Sequence, residues 1–218
     1  MFDYLKAVAK LILGKGVRKS YGQFGEDAII QAVLKKENGF YVDVGAYHPT
    51  LYSNTYALYR RGWHGLTIDP NKDMIQLHTK LRPRDTTVTA GVGENGTGTY
   101  YRYSDGAFNT FSKSDAEERM NNTYLTLLGK DEVQSRPLRD VLDEQKITEI
   151  DFLNIDVEGK DFEVLATHNW SIPTKVIAVE DDAFDITNPT QSKTYAFLTE
   201  KGYELIGFAG VTLIWRKN

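Results

Sequence analysis

Acidic side chains are concentrated behind two apolar segments in the second half of the chain. Asp156 and Glu158 follow residues 150–155, and Glu180, Asp181 and Asp182 follow residues 175–179. Both segments are expected to be buried parallel strands, whose carboxyl ends meet at one edge of a sheet. Carboxylates crowded in this way repel one another unless they share a proton or a cation, and the crowding raises their pKa values. The sequence therefore predicts a general base that titrates near neutral pH or a site for a hard cation.

Two further acids end segments in the first half of the chain. A strand around Asp43 runs into a turn at Gly45, and a second strand ends in Asp69-Pro70, 26 residues after Asp43. In nucleotide-binding α/β domains, an acid at the tip of the second strand accepts hydrogen bonds from ribose hydroxyls, and about 20 residues separate it from the first loop. This spacing predicts an adenosine-like ligand, although a strand that ends in Asp-x-Gly is also compatible with a simple turn.

The first loop indicates which adenosine ligand to expect. A dinucleotide site needs glycines at three fixed positions so that pyrophosphate can bind at a helix N-terminus, whereas this loop has Gly45 alone. S-adenosylmethionine contains an adenosine but no phosphate, and its methionine end carries an ammonium group that suits an acid such as Asp43. The loop therefore favours S-adenosylmethionine as the cofactor.

Methyl transfer to a hydroxyl could use the acidic edge in two ways. Asp156 or Glu158 can take the hydroxyl proton as a general base, and His48, beside the first loop, is a further candidate base. Alternatively, Asp156, Asp181 and Asp182 can hold Mg²⁺, which lowers the pKa of the hydroxyl. The competing interpretation is that Asp181 and Asp182 only cap the loop after their strand.

The elements that position these residues alternate between strand and helix, which is typical of an α/β fold. We expect a single domain over residues 1–218. It begins with helices in residues 1–39 and closes with a hairpin at residues 203–215.

The middle of the chain interrupts this alternation. Asn95-Gly96 between two β-rich segments, residues 86–90 and 99–103, predicts a hairpin. Residues 104–136 then contain a loop and a polar helix. We expect this segment to be a substrate lid over the strand tips, with a surface excursion without function as the alternative.

Composition excludes several classes of partner. The formal net charge of −4 and the isoelectric point near 5.6 argue against nucleic acid, which would need a basic face. No cysteine is present, so neither a disulfide framework nor a thiolate metal site can form. We expect a cytoplasmic location and a small-molecule or glycan acceptor.

Residues 1–19 have the pattern of an amphipathic helix followed by basic residues. Lys6 and Lys10 interrupt the apolar run, so we expect no transmembrane segment. Such a helix can pack on the domain or on a second subunit, which would make a homodimer. With the basic residues that follow, it can also make weak contact with an anionic membrane surface.

Four segments resemble the FkbM family of S-adenosylmethionine-dependent methyltransferases. They are residues 21–27 (YGQFGED), 42–46 (VDVGA), 62–71 (GWHGLTIDPN) and 152–159 (FLNIDVEG). The resemblance implies a class I methyltransferase fold, which is a mostly parallel, Rossmann-like sheet of seven strands with helices on both faces and an antiparallel closing strand. It also implies methyl transfer to a hydroxyl of a sugar, glycan or natural product.

The predicted cofactor contacts are Gln23, Glu26, Asp43, Gly45, Asn54, Asp69, Pro70, Val92 and Asp156. Two positions depart from the pattern of the family. Asp69 stands where many relatives have glutamate, and Tyr47-His48-Pro49 stands where many continue with a small polar residue and glycine. Asp69 can still bind a diol, although it reaches less far.

Two alternative functions compete with methyl transfer. A nicotinamide-dependent sugar-modifying enzyme predicts a glycine-rich loop and a Tyr-x-x-x-Lys pair, and no tyrosine here has a lysine four residues later. A non-catalytic cofactor-binding or scaffold domain keeps the fold, and predicts that replacing Asp156 by alanine leaves function unchanged.

Overall fold

The computed structural model describes residues 2–12, 19–121 and 123–218. The helices are α1 (Phe2–Ile12), α2 (Glu26–Val33), α3 (Tyr56–Arg60), α4 (Lys72–Leu81), α5 (Lys113–Arg119), α6 (Leu138–Glu144), α7 (Asp161–Ala166) and α8 (Lys193–Glu200). The strands are β1 (Phe40–Val44), β2 (His64–Asp69), β3 (Thr86–Thr89), β4 (Gly91–Val92), β5 (Gly96–Tyr103), β6 (Leu127–Arg136), β7 (Ile150–Ile155), β8 (Thr174–Glu180), β9 (Tyr203–Ala209) and β10 (Thr212–Lys217).

Seven strands of this described chain form one sheet in the order β3-β2-β1-β7-β8-β10-β9. Neighbours from β3 to β8 are parallel, whereas β10 runs antiparallel to both β8 and β9. Along the chain, β2 and β3 are added on one side of β1, and β7 is then added on its other side. This reversal opens a crevice at the carboxyl ends of β1 and β7, where open α/β sheets bind their ligands.

Two apolar layers bury both faces of the central strands. Val42 and Val44 of β1 pack with residues of α6, α7 and α8 on one face, whereas Tyr41 packs with Ile30 and Leu58 of α2 and α3 on the other. Successive strand residues point to opposite faces, so a strand covered on both sides needs apolar residues at nearly every position. The predicted α/β fold, with helices on both faces and an antiparallel closing strand, is confirmed.

A separate three-stranded sheet replaces the predicted hairpin. Its order is β4-β6-β5, with β5 antiparallel and β4 parallel to β6. Asn95-Gly96 therefore joins strands that do not pair with each other, and β3 pairs with β2 instead. The hairpin prediction is wrong because β5 pairs with β6, a strand about thirty residues downstream. The Asn-Gly turn signal assigns this edge of β5 to the strand just before the turn.

The segment predicted as a lid contains a 3₁₀ turn at Gly106–Phe108, then α5, and ends in β6. The strand was not expected from the sequence. Tyr101 and Tyr103 of β5 are buried against Ala116 of α5, and the Tyr103 hydroxyl donates to the Ala116 carbonyl oxygen over 2.8 Å. These contacts fix the helix to the small sheet.

Helix α1 forms within the segment predicted to be amphipathic, and residues 13–18 of that segment lie outside the described residues. The side chains of Tyr4, Leu5 and Ile12 are exposed. Among the helices that the structure describes, none combines the length and the apolar character that crossing a membrane requires.

Candidate functional site

A cavity of about 370 Å³ opens at the carboxyl ends of β1, β2 and β7. The tips of the main sheet contribute Val44, Gly45, Ile68, Asp69, Pro70, Asp156, Val157 and Glu158. The small sheet and the lid segment close it with Val92, Gly93, Gly96, Tyr100 and residues 105–109. Gln23, which precedes α2, also lines the wall. The structure thus brings together six of the nine predicted cofactor contacts: Gln23, Gly45, Asp69, Pro70, Val92 and Asp156.

One end of the cavity has an apolar floor and a backbone cradle. Val44 and Ile68 line it from the main sheet. At Gly93 and Gly96 an added Cβ would meet no protein atom within 4 Å. Apolar side chains beside uncovered backbone suit a flat ring such as adenine.

Asp69 lies at the tip of β2 beside this floor, and its side chain is buried. Its Oδ2 accepts from the Tyr47 backbone N–H over 2.9 Å, and its Oδ1 accepts from the Asn71 N–H over 2.7 Å. Burial raises the pKa of Asp69 to about 6, against the lowering effect of these two bonds. Each carboxylate oxygen keeps a second lone pair, so Asp69 can accept hydrogen bonds from a ribose diol.

Gly45 allows β1 and β7 to meet at the cavity. Its φ is +78°, and an added Cβ would lie 1.6 Å from the Asp156 carbonyl oxygen. The Asp156 N–H donates to the Val44 carbonyl oxygen over 3.0 Å. Because glycine tolerates this conformation and leaves this space, Asp156 reaches the cavity wall.

Three predicted cofactor contacts do not line the cavity. Asp43 is buried, and accepts from Thr55 Oγ1 over 2.5 Å and from Asn154 Nδ2 over 2.9 Å. Asn54 is buried and donates to Asn154 Oδ1 over 3.1 Å. Glu26 is buried and accepts from the Phe24 N–H. In this structure these side chains hydrogen-bond within the scaffold beside the cavity, and their role as direct cofactor contacts stays a prediction.

Sequence reasoning missed Arg82, which is linked to Asp43 through a shared partner. Arg82 is fully buried, pairs with Asp85 over 2.7 Å and donates to Thr55 Oγ1, the same hydroxyl that binds Asp43. It also donates to the Pro49 carbonyl oxygen. A buried acid and a buried cation therefore share Thr55 and brace the loop after β1. At the end of a helix, before a proline, Arg82 gave no signal of this role.

Tyr47 is another residue of the site that the motif search did not select. Its φ of +39° is unusual for a residue with a side chain. Its N–H binds Asp69, and its carbonyl oxygen lies 3.1 Å from His78 Nε2. The ring lines the cavity, and its hydroxyl lies 3.3 Å from Asp105 Oδ1 in the lid segment. Tyr47 therefore links the first loop to the lid.

His48, predicted as a secondary base, does not line the cavity. Its Nδ1 accepts from the backbone N–H groups of Thr50 and Leu51 over 3.2 and 3.1 Å. Burial lowers the pKa of His48. The ring accepts hydrogen bonds from its own loop, and its assignment as a secondary base stays a prediction.

The structure gathers a group of acids that overlaps with the predicted metal ligands only at Asp156. Within the described residues, carboxylate oxygens of Asp156, Asp161 and Glu180 all lie within 4.8 Å of one another. Asp181 instead accepts from Ser192 Oγ over 2.5 Å and from the Ala183 N–H over 3.2 Å. The predicted donor set Asp156, Asp181 and Asp182 therefore shares only Asp156 with this group, and metal binding by that set stays a prediction.

Burial and mutual repulsion raise the pKa values in this cluster. Burial, and then the charges of Glu180 and Glu158, raise the pKa of Asp156 well above its ordinary value. Burial raises the pKa of Asp161 to about 7, and burial with the neighbouring acids raises that of Glu180 to about 8. Asp161, in the first turn of α7, was not predicted from the sequence. Groups of this kind can exchange protons near neutral pH.

Glu158 ties the lid to the tip of β7. Its Oε2 lies 2.6 Å from Arg119 Nη2 in α5, and its carbonyl oxygen accepts from Thr110 Oγ1 over 2.9 Å. Burial raises the pKa of Glu158, although Arg119 opposes that shift. Arg119 also donates to the Phe108 carbonyl oxygen over 2.7 Å. Because Glu158 is ion-paired, Asp156 is the better-placed base of the two.

A crystal structure of a TehB-like SAM-dependent methyltransferase from Corynebacterium glutamicum is similar to this protein, with 13% identity and a TM-score of 0.42 over 99% of this chain and 97% of that one. No curated protein matches the chain significantly. The methyltransferase FkbM domain matches residues 43–205, which include the lid segment and all of the cavity lining except Gln23. The chain therefore belongs to the FkbM methyltransferase family.

Proposed function

We propose that this protein transfers a methyl group from S-adenosylmethionine to a hydroxyl of a sugar, glycan or natural-product acceptor. The observation that carries the proposal is that one cavity joins Asp69, at the tip of β2, to Asp156, at the tip of β7. The first acid suits a nucleoside ribose, and the second suits a base. Membership of a methyltransferase family supports the reaction type.

The residues present fit this cofactor. Asp69 would accept from the ribose hydroxyls, and the apolar floor with the cradle at Gly93 and Gly96 would hold the adenine. The acids at the other side of the cavity, Asp156 and Glu158, match a cationic methionine end. When bound, S-adenosylmethionine supplies an electrophilic methyl group on a sulfonium. The loop lacks the glycines that a pyrophosphate would need.

Asp156 is the proposed general base. Because burial and neighbouring acids raise its pKa, a carboxylate at this position has a strong affinity for a proton near neutral pH. It would take the hydroxyl proton as the acceptor oxygen gains the methyl group. Asp161 and Glu180, both within 4.8 Å, would hold or share that proton afterwards.

The lid segment supports a hydroxyl-bearing ring as the acceptor. Phe108 and Tyr47 line the cavity, and Asp105 adds a carboxylate that can accept from hydroxyls. Aromatic faces next to hydrogen-bonding groups are suited to a sugar or a similar cyclic polyol.

Isothermal titration calorimetry tests the cofactor. S-adenosylhomocysteine should bind, and NAD⁺ should not, with a 1:1 stoichiometry for the first. Binding of NAD⁺ alone would redirect the assignment to a nicotinamide enzyme, and binding of neither would contradict the proposal.

Transfer of labelled methyl groups from S-adenosylmethionine to a panel of hydroxylated acceptors tests the reaction. The same assay in the presence of EDTA tests whether a metal ion is required. Activity that is indifferent to EDTA would leave Asp156 as a base without a metal, whereas lost activity that Mg²⁺ restores would assign a cation to the acidic cluster. Cofactor binding with no transfer to any acceptor would favour the scaffold alternative.

A further inference from the structure

Helix α1 carries apolar side chains that the described part of the chain leaves uncovered. Leu5, Val8, Ala9 and Ile12 follow the i, i+3, i+4, i+7 spacing that places residues on one helix face. Leu5 and Ile12 are 59% and 78% exposed. Exposed apolar stripes of this kind mark surfaces that contact something else.

The same helix also carries positive charge. Lys6 and Lys10 lie one turn apart on the opposite side of α1. Residues 1–19 contain five basic side chains and one acid, out of 26 basic and 30 acidic in the whole chain. The remaining residues therefore contain 21 basic and 29 acidic side chains. An anionic surface would be attracted to this segment and repelled by the rest of the molecule.

We propose that α1 docks the protein on an anionic phospholipid bilayer. Leu5 and Ile12 would enter the boundary between headgroups and acyl chains, and the lysines would remain among the headgroups. Pairing with a second copy fits less well, because it would bring together two segments that each carry five basic side chains and one acid. The inference is independent of the cavity and of methyl transfer.

Vesicle flotation with the purified full chain tests the proposal. The protein should float with vesicles of equimolar phosphatidylcholine and phosphatidylserine, and should remain at the bottom with pure phosphatidylcholine. Each lysine near an anionic surface contributes a factor of about five, so replacing Lys6 and Lys10 by glutamine should weaken partitioning about 25-fold. Leu5→Glu with Ile12→Glu should abolish flotation.

Ile186→Glu is the matched control, because Ile186 is 67% exposed and lies far along the chain from α1. It should float like the wild type. Circular dichroism should show that every variant stays folded, since the altered side chains are exposed. Equal behaviour on both vesicle types, or flotation of the Leu5→Glu, Ile12→Glu variant, would overturn the proposal. A wild type that ignores vesicles but loses a dimer on the same substitutions would make α1 a self-association surface.

Discussion

Asp69 is the proposed ribose contact of the cavity, and its substitution has a predictable effect. Hydrogen bonds to a charged group contribute about 1.5–3 kcal/mol each. Asp69→Asn should therefore weaken binding of S-adenosylhomocysteine by between about tenfold and about a hundredfold. Because the pKa of Asp69 is raised to about 6, wild-type affinity should fall as the pH drops below that value. Calorimetry at pH 5 and pH 8 measures both effects.

The control for Asp69 is Asp73→Asn, which removes an acid from the exposed first turn of α4. Its affinity should match that of the wild type. An Asp69→Asn variant that binds as tightly as this control would remove Asp69 from the site.

Asp156 should affect chemistry more than cofactor binding. A general base contributes about 10²–10⁴-fold to the rate, so Asp156→Asn should lower kcat by that range. Affinity for S-adenosylhomocysteine should fall by a smaller factor, because Glu158 still faces the cationic methionine end. Steady-state kinetics with a productive acceptor, together with calorimetry, separate the two. Unchanged kcat would show that another group takes the proton.

Gly45 tests whether close packing of the strand tips is needed. In Gly45→Ala, the new Cβ would overlap the Asp156 carbonyl oxygen at 1.6 Å, in addition to the strain of a φ of +78°. We expect a loss of stability of about 3 kcal/mol and loss of cofactor binding. Gly25→Ala isolates the strain, because φ there is +90° and the Cβ meets nothing within 4 Å. It should cost only about 1 kcal/mol. Equal costs in thermal unfolding would contradict this account.

At the scale of elements, the ion pair between Arg119 of α5 and Glu158 connects the lid segment to the tip of β7. Arg119→Gln should loosen the lid, raise the pKa of Glu158 further and lower kcat, because the acceptor side of the cavity loses its cover. Limited proteolysis should cut residues 104–126 several-fold faster than in the wild type. Arg139→Gln is the control, since Arg139 is half exposed and pairs only with its neighbour Asp140 at the surface. Identical digestion of both variants would show that this ion pair does not hold the lid.

The elements also show what the sequence could and could not predict. The central strands were predictable, because a strand buried on both faces must be apolar almost throughout, and Asp69 and Asp156 followed from their places at strand ends. Asp43 has the same local pattern, yet its carboxylate accepts from Thr55 and Asn154 and does not line the cavity. Partners that distant in sequence carry no local signal. The pairing of β5 with β6 was missed for the same reason.

At the scale of the whole molecule, the acidic cluster should make stability depend on pH. The pKa values of Asp161 and Glu180 are raised to about 7 and 8 in the folded protein, from ordinary values of 3.8 and 4.5. A group with a raised folded pKa contributes stability below its unfolded pKa and loses it as pH rises through its folded pKa. This contribution should therefore decline between about pH 4 and pH 8. Asp151 acts in the opposite direction: burial alone would raise its pKa, but hydrogen bonds from Lys175 and Lys36 lower it.

Glu180→Gln should reveal the contribution of the cluster to stability. One pKa unit corresponds to about 1.4 kcal/mol, and removing one negative charge reduces the repulsion among the neighbouring carboxylates. We therefore expect the substitution to raise the free energy of unfolding by on the order of 1–2 kcal/mol at pH 8 and by almost nothing at pH 5. Urea unfolding at the two pH values measures the difference. Glu200→Gln, an exposed site on α8, should shift neither value. If Glu180→Gln instead destabilised the protein at pH 8, the carboxylate would be holding a favourable partner there, and addition of EDTA to the wild type would show whether that partner is a metal ion.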